Sequence, residues 1–269
     1  MKQQNKYIGI FDSGIGGLTV AKSVIEMMPK ENIIYFGDTA HMPYGTKSFD
    51  EIKQLVLADV NFLNTFPLKA IMIACNTADS VGRKTVEENY DLPIYGVVEP
   101  ACKKAVLTTE NKKVGVIATE ACINSKAYEE MINNLDPSVK VFPKACPLLA
   151  SLVEEGHFNK DDEVLMPVLK QYLQPLMDEG IDTLVLGCTH YPLVKDSIIS
   201  IIGNVNIISS SDAAAERLKE DLQEKQLIKT CRKNADRKYF VSDKPDNFIE
   251  KASIFMCEKF EGNVEKVDI

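Results

Sequence analysis

Two short apolar runs in this chain end in the same way. Residues 71–77 read Ile-Met-Ile-Ala-Cys-Asn-Thr, and residues 184–190 read Leu-Val-Leu-Gly-Cys-Thr-His. Each ends in a small residue and a cysteine, followed by polar side chains. An apolar run of this length bounded by polar residues predicts a strand buried on both faces, the habit of parallel sheets. Cys75 and Cys188 then stand at the carboxyl ends of two similar strands, the edge where open α/β sheets place their ligands. Two equivalent thiols facing one ligand from opposite sides suit a reaction that needs one proton acceptor and one proton donor. Moving a proton from one face of a carbon to the other, a racemisation, is such a reaction.

The rest of the chain alternates in the same style. Strands are predicted over 7–11, 32–36, 70–74 and 94–98, then over 113–118, 139–142, 182–187 and 205–208. Helical spacing follows Gly17 through Leu18, Val20, Ala21, Val24 and Ile25. Ser48, with Glu51 three residues on, forms a capping box for a helix carrying Ile52, Leu55, Val56, Asp59 and Leu63. Further helices are expected over 162–178, from 212 onward, and near 246–259. The expected architecture is two similar α/β domains, each a mostly parallel sheet covered by helices, with the site in the cleft between them. The first domain takes residues 1–97 plus 209–269, and the second 98–208. A late strand at 238–242 cannot build its own core, so it is expected to return and extend the first sheet.

Composition excludes several classes. The formal net charge of -8 argues against a nucleic-acid partner held by phosphate contacts. Short basic clusters, Lys112-Lys113 and Arg232-Lys233, fit a solvated surface. No stretch is apolar enough for a signal peptide or a membrane span. Seven cysteines, none spaced as C-x-x-C, fit a reducing compartment better than a disulfide framework. A cytoplasmic protein with no membrane partner is the expectation.

Several polar groups surround the two thiols in this reading. Asn76, Thr77 and Thr189 could donate to a substrate carboxylate. His190, one of three histidines, is a candidate proton relay for Cys188. A Cys-x-His pair also occurs in metal sites, but further ligands at metal-like spacing are missing, so no metal is expected. Asp12-Ser13-Gly14-Ile15-Gly16-Gly17 joins a strand to a helix, where glycines let backbone N–H groups approach an anion. It lacks the full dinucleotide pattern. Asp12 and Ser13 are read as site residues, and the Pro43-Tyr44-Gly45 turn lies on the same sheet edge. Three chemistries stay open on the residues alone. One is a two-base racemase or epimerase. Another is a thiol hydrolase using Cys188 with His190 as base. The third is a two-domain binding protein.

Taken in order, FDSGIGGLTV at 11–20, GDTAHMPYG at 37–45, ACNTA at 74–78, GVVEPA at 96–101 and GCTHYPL at 187–193 resemble the glutamate racemases. These belong to the cofactor-independent aspartate/glutamate racemase superfamily. The last motif is the most specific, since aspartate racemases tend to carry an acid where His190 stands. The resemblance implies a glutamate substrate whose α-carbon lies between Cys75 and Cys188, and no cofactor. It implies that Cys75 takes the α-proton from D-glutamate and Cys188 from L-glutamate, with Asp12 and His190 assisting. Ser13, Pro43, Tyr44, Gly45, Asn76, Thr77 and Thr189 match positions that hold the substrate, and Glu154 matches an acid near the site. Asp38 matches another acid. The implied assembly is a homodimer, and the implied role is supplying D-glutamate for peptidoglycan and the cell wall. One stretch departs from the pattern. Residues 118–125 read Ala-Thr-Glu-Ala-Cys-Ile-Asn-Ser, keeping Thr119 but placing Cys122 where the family has a second threonine. Cys122 is expected near the substrate as a weaker donor. Asp79 is also unusual for the family.

Overall fold

The computed structural model describes residues 3–230 and 234–269, so the Arg232-Lys233 cluster lies outside the described residues. The strands are β1 (Tyr7–Asp12), β2 (Ile33–Gly37), β3 (Leu68–Ile73), β4 (Ile94–Gly96), β5 (Lys113–Ala118), β6 (Lys140–Ala145), β7 (Thr183–Gly187), β8 (Asn206–Ser209), β9 (Arg237–Val241) and β10 (Val264–Lys266). The helices are α1 (Leu18–Met27), α2 (Phe49–Leu63), α3 (Asn76–Asn89), α4 (Val98–Thr108), α5 (Glu120–Asn124), α6 (Ala127–Leu135), α7 (Leu149–Glu154), α8 (Leu165–Asp178), α9 (Lys195–Ile202), α10 (Ser210–Glu224) and α11 (Pro245–Met256).

The strands form two sheets, ordered β10-β9-β2-β1-β3-β4 and β6-β5-β7-β8, and every pairing is parallel. The largely apolar central strands explain this. Every residue of β1, β3 and β7 is buried, which requires helices on both faces of the sheet. One face of the first sheet packs on α1, α10 and α11, and the other on α2 and α3. β3 and β7 hold equivalent places, each beside the strand that opens its sheet, β1 and β5. Their carboxyl ends carry the two thiols. As the sequence implies, the tail returns to the first sheet: β9 pairs with β2, Tyr35 opposite Tyr239. The buried Lys69 pins the returning chain by bonding both Glu31 and the Leu227 carbonyl. No helix among the described residues is long and apolar enough to cross a membrane.

Three local expectations change. The apolar run 94–98 is a strand only to Gly96, because the Asp79 carboxylate accepts the Val98 N–H at 2.7 Å and starts α4 there. β6 runs to Ala145 through Pro143, which an edge strand tolerates because its missing N–H has no ladder partner to lose. The box at Ser48 is half-formed. Ser48 Oγ accepts the Glu51 N–H at 3.3 Å, but the Glu51 carboxylate turns to Lys47 at 2.6 Å.

Candidate active site

Cys75 sits at the junction of β3 and α3. Its sulfur caps the helix, accepting the Ala78 N–H at 3.5 Å, and it meets Ser13 Oγ at 3.5 Å. Cys188 follows β7 in the same way. Its sulfur lies 3.7 Å from His190 Nδ1, and His190 Nε2 lies 2.8 Å from Glu154 Oε1. Both thiols line one enclosed cavity of about 50 Å³. Around them stand Ser13, Pro43, Tyr44, Gly45, Asn76, Thr77, Thr119, Glu154, Thr189 and His190. The cavity thus gathers most of the sequence-predicted site onto one surface, drawn from the carboxyl edges of both sheets. A larger open groove of about 770 Å³ between Pro29 and Asn263 holds neither thiol, so size does not locate the chemistry.

Two predicted residues stand off the cavity surface. Asp12 lies behind the loop, where its Oδ2 accepts the Gly14 N–H at 3.0 Å. The Cys122 thiol is turned to Ser80 Oγ at 3.0 Å, while its N–H caps onto Thr119 Oγ1. Other predicted donors are already engaged. Asn76 Nδ2 donates to Ser210 Oγ at 3.4 Å while its Oδ1 accepts from Tyr128 Oη at 2.6 Å, and the hydroxyls of Thr77 and Thr119 meet at 2.8 Å. The Tyr44 hydroxyl faces Asp38 and Asp59 rather than the cavity. Backbone groups at the same edge remain suited to an anion. Asn76 and Thr77 open α3, and Tyr44 and Gly45 open a short 3-10 turn. N–H groups at such openings have no intrahelical partner and favour an anion.

The glycine loop is also where the two sheet edges come closest. A Cβ on Gly16 would stand 2.3 Å from Thr189 Oγ1 and 2.5 Å from His190 Cε1. A Cβ on Gly45 would stand 2.9 Å from Thr119 Cβ. These glycines let the edge of one sheet approach the edge of the other. Sequence reasoning missed Gly14, Met42 and Ala150, which also line the cavity. Ala150 was findable, since it lies one helical turn before Glu154 and so shares its face of α7.

The two thiols are chemically distinct in their surroundings. Burial, and then the charge of Asp12, push the Cys75 thiol well above the ordinary cysteine range. The Ala78 and Ser13 contacts oppose this only in part, so Cys75 rests as the thiol. Burial also raises Asp12, while His190 and the Gly17 and Gly14 N–H groups pull it back. Burial would lower His190, but its contacts with Cys188 and Glu154 override that and push it up to about 10. Cys188 therefore faces an imidazolium, and Cys75 faces a buried acid. Such an arrangement can hold a proton on one side of a small ligand and receive one on the other.

Comparison with known proteins agrees with this geometry. A family model described as Asp/Glu/Hydantoin racemase matches residues 8–218. A glutamate racemase of Geobacter metallireducens is 42% identical over 265 residues, covering 98% of this chain and 97% of the relative. The crystal structure of a glutamate racemase isoform from Bacillus anthracis superposes with a TM-score of 0.92 at 39% identity, covering 99% of this chain and 98% of that one. The Francisella tularensis glutamate racemase, crystallised in complex with D-glutamate, gives 0.91 at 38% identity, covering 98% of each chain. The chain belongs to the Asp/Glu/Hydantoin racemase family and stands with its glutamate racemases.

Proposed function

We propose that this chain interconverts L- and D-glutamate without a cofactor, by proton transfer at opposite faces of the α-carbon. The observation that carries the reading is the pair of thiols at equivalent strand ends, lining one cavity with opposite partners. A covalent thiol mechanism would leave Cys75 without a task. Burial holds the proton on Cys75, which suits that thiol as the donor when Cys188 is the acceptor. That is the form ready for L-glutamate. Cys188 removes the α-proton beside His190, and Cys75 returns one to the other face. D-glutamate runs the same steps in reverse from the opposite protonation form.

The difficult part is the carbanion, because the α-proton of an amino acid is weakly acidic. Charge develops toward the α-carboxylate, and preorganised N–H groups at the start of α3 are the dipoles suited to it. The small cavity limits the water beside the ligand, which strengthens those interactions. His190, held by Glu154, orients and charges the Cys188 side, and Asp12 does so for Cys75 through the loop. We place the reaction in the cytoplasm, in a homodimer, supplying D-glutamate for peptidoglycan synthesis. The test is incubation with L-glutamate in deuterated water. Optical rotation should fall toward zero while deuterium enters the α-position, with no added cofactor. Unchanged rotation, or activity that requires pyridoxal phosphate or a metal, would contradict the proposal.

A further inference from the structure

A buried acidic cluster lies directly behind the Pro43–Gly45 wall of the cavity. Tyr44 Oη stands 2.6 Å from Asp38 Oδ2 and 2.9 Å from Asp59 Oδ2. Asp38 and Asp59 are both wholly inaccessible to solvent, and Tyr44 is 1% exposed. A phenol has one proton and can donate to one carboxylate only. The second contact therefore needs a proton on one of the two acids.

The surroundings decide which. Asp38 receives the Ser242 hydroxyl at 2.7 Å and faces His41 Nδ1 at 2.8 Å, in addition to Tyr44. Both of its oxygens are supplied with donors, as an ionised carboxylate requires. Asp59 has no such supply. Among the described residues its Oδ1 is buried with no hydrogen-bond partner, and its Oδ2 meets only Tyr44. An ionised, unpaired carboxylate in that position would carry a large desolvation cost, made worse by the negative charge of Asp38 and, farther off, Asp12. Burial, and then the charge of Asp38, push Asp59 far above the ordinary carboxylate range.

We infer that Asp59 is a neutral carboxylic acid that donates to Tyr44, and that through Tyr44 it positions the Pro43–Gly45 wall against the substrate. The chain of donors runs from Asp59 to Tyr44 to Asp38, with Ser242 and His41 closing it. It ties α2, the 3-10 turn at Tyr44, the end of β2 and the segment after β9 to one point. Tyr44 is held in one orientation because its hydroxyl both accepts and donates. Asp59 does not itself line the cavity and acts through Tyr44, so it is a positioning residue. The inference rests on the reading of this cavity as the glutamate site, but the proton on Asp59 can be measured without that reading.

The experiment compares Asp59→Asn, Asp59→Leu and Tyr44→Phe in the whole protein. Infrared spectra of the unliganded protein near neutral pH should show a protonated carboxyl band that Asp59→Asn removes. An amide can donate to Tyr44 as the acid does. Asp59→Asn should therefore keep kcat/KM for glutamate within about threefold of wild type, with an unchanged pH profile. Asp59→Leu and Tyr44→Phe each leave a group of the chain unpaired. They should raise KM by about tenfold or more, the worth of one such bond, with kcat less affected. If Asp59→Leu fails to fold, Tyr44→Phe, which keeps the ring, carries the comparison. Absence of the carboxyl band, or Asp59→Asn as damaging as Tyr44→Phe, would overturn the inference. If wild type turned over no glutamate while the band was present and removed by Asp59→Asn, the assigned reaction would fall and the proton on Asp59 would stand.

Discussion

His190 is wedged between Cys188 and Glu154, and its titration should be visible in stability. Its folded value, about 10, lies above its ordinary value of about 6.5. A group raised in this way adds stability that is fully present below about 6.5 and is lost as pH rises through about 10. The gap in urea midpoint between wild type and His190→Asn should therefore shrink between those limits. A gap that widened with pH would contradict the charged-imidazole assignment. Gly16 tests the other side of the same residue. In Gly16→Ala the new methyl meets Thr189 and His190, neither free to retreat: the Thr189 carbonyl accepts from Thr19, and His190 is held by Glu154 and edge-on to Phe255. Overpacking of this kind costs about 1–3 kcal/mol. Displacing His190 should lower kcat about 10- to 100-fold, and a wild-type kcat would show that the close approach is irrelevant to turnover. The sequence made the thiols, His190 and the cavity-lining loop residues legible, because each follows a strand at the edge where ligands bind. It could not show that Cys122 turns to Ser80, or that the hydroxyls of Thr77 and Thr119 meet. Those are matters of which neighbour arrives, and the neighbour comes from a distant segment.

At the scale of elements, α4 shows where one charge redraws a boundary. Asp79 in the first turn of α3 reaches across to the Val98 N–H and ends β4 early. Its other oxygen is buried without a hydrogen-bond partner, and burial raises it to about 6 despite the pull of Arg83. The sign follows from that direction. A carboxyl raised on folding contributes stability below its unfolded value of about 3.9 and loses it as pH rises through its folded value. Asp79→Asn keeps an oxygen to accept the Val98 N–H but removes the buried charge. It should be more stable than wild type by about 1–3 kcal/mol at pH 8, with the advantage vanishing near pH 4. Thermal unfolding at the two pH values checks this, and a destabilised variant at pH 8 would mean that the charge itself holds the helix. The strands were legible because most are built on a short apolar run, and nine of the ten among the described residues lie within a few residues of the runs the sequence marks. Short pieces such as α5, α7 and β10 were not, since helices and strands of that size take their stability from packing and carry little periodicity of their own.

At the scale of the whole molecule, the two sheet edges meet at a seam that closes the site. Thr19 reaches the Thr189 carbonyl, Thr77 meets Thr119, and Tyr128 holds Asn76. The space between them is small, about 50 Å³. The doubled α/β architecture was legible from the repeated Ala-Cys and Gly-Cys strand ends. The closeness of the edges was not, because it depends on what fills the space beside Gly16 and Gly45. The central claim is that each thiol serves one face of one carbon. Its most direct test is the primary isotope effect on the first proton transfer, measured with α-deuterated L- and D-glutamate on Cys75→Ser and Cys188→Ser. A serine keeps the shape but is a far weaker base. Proton removal from D-glutamate should be slowed most in Cys75→Ser, and removal from L-glutamate most in Cys188→Ser. Equal perturbation of both substrates by both substitutions would contradict the account.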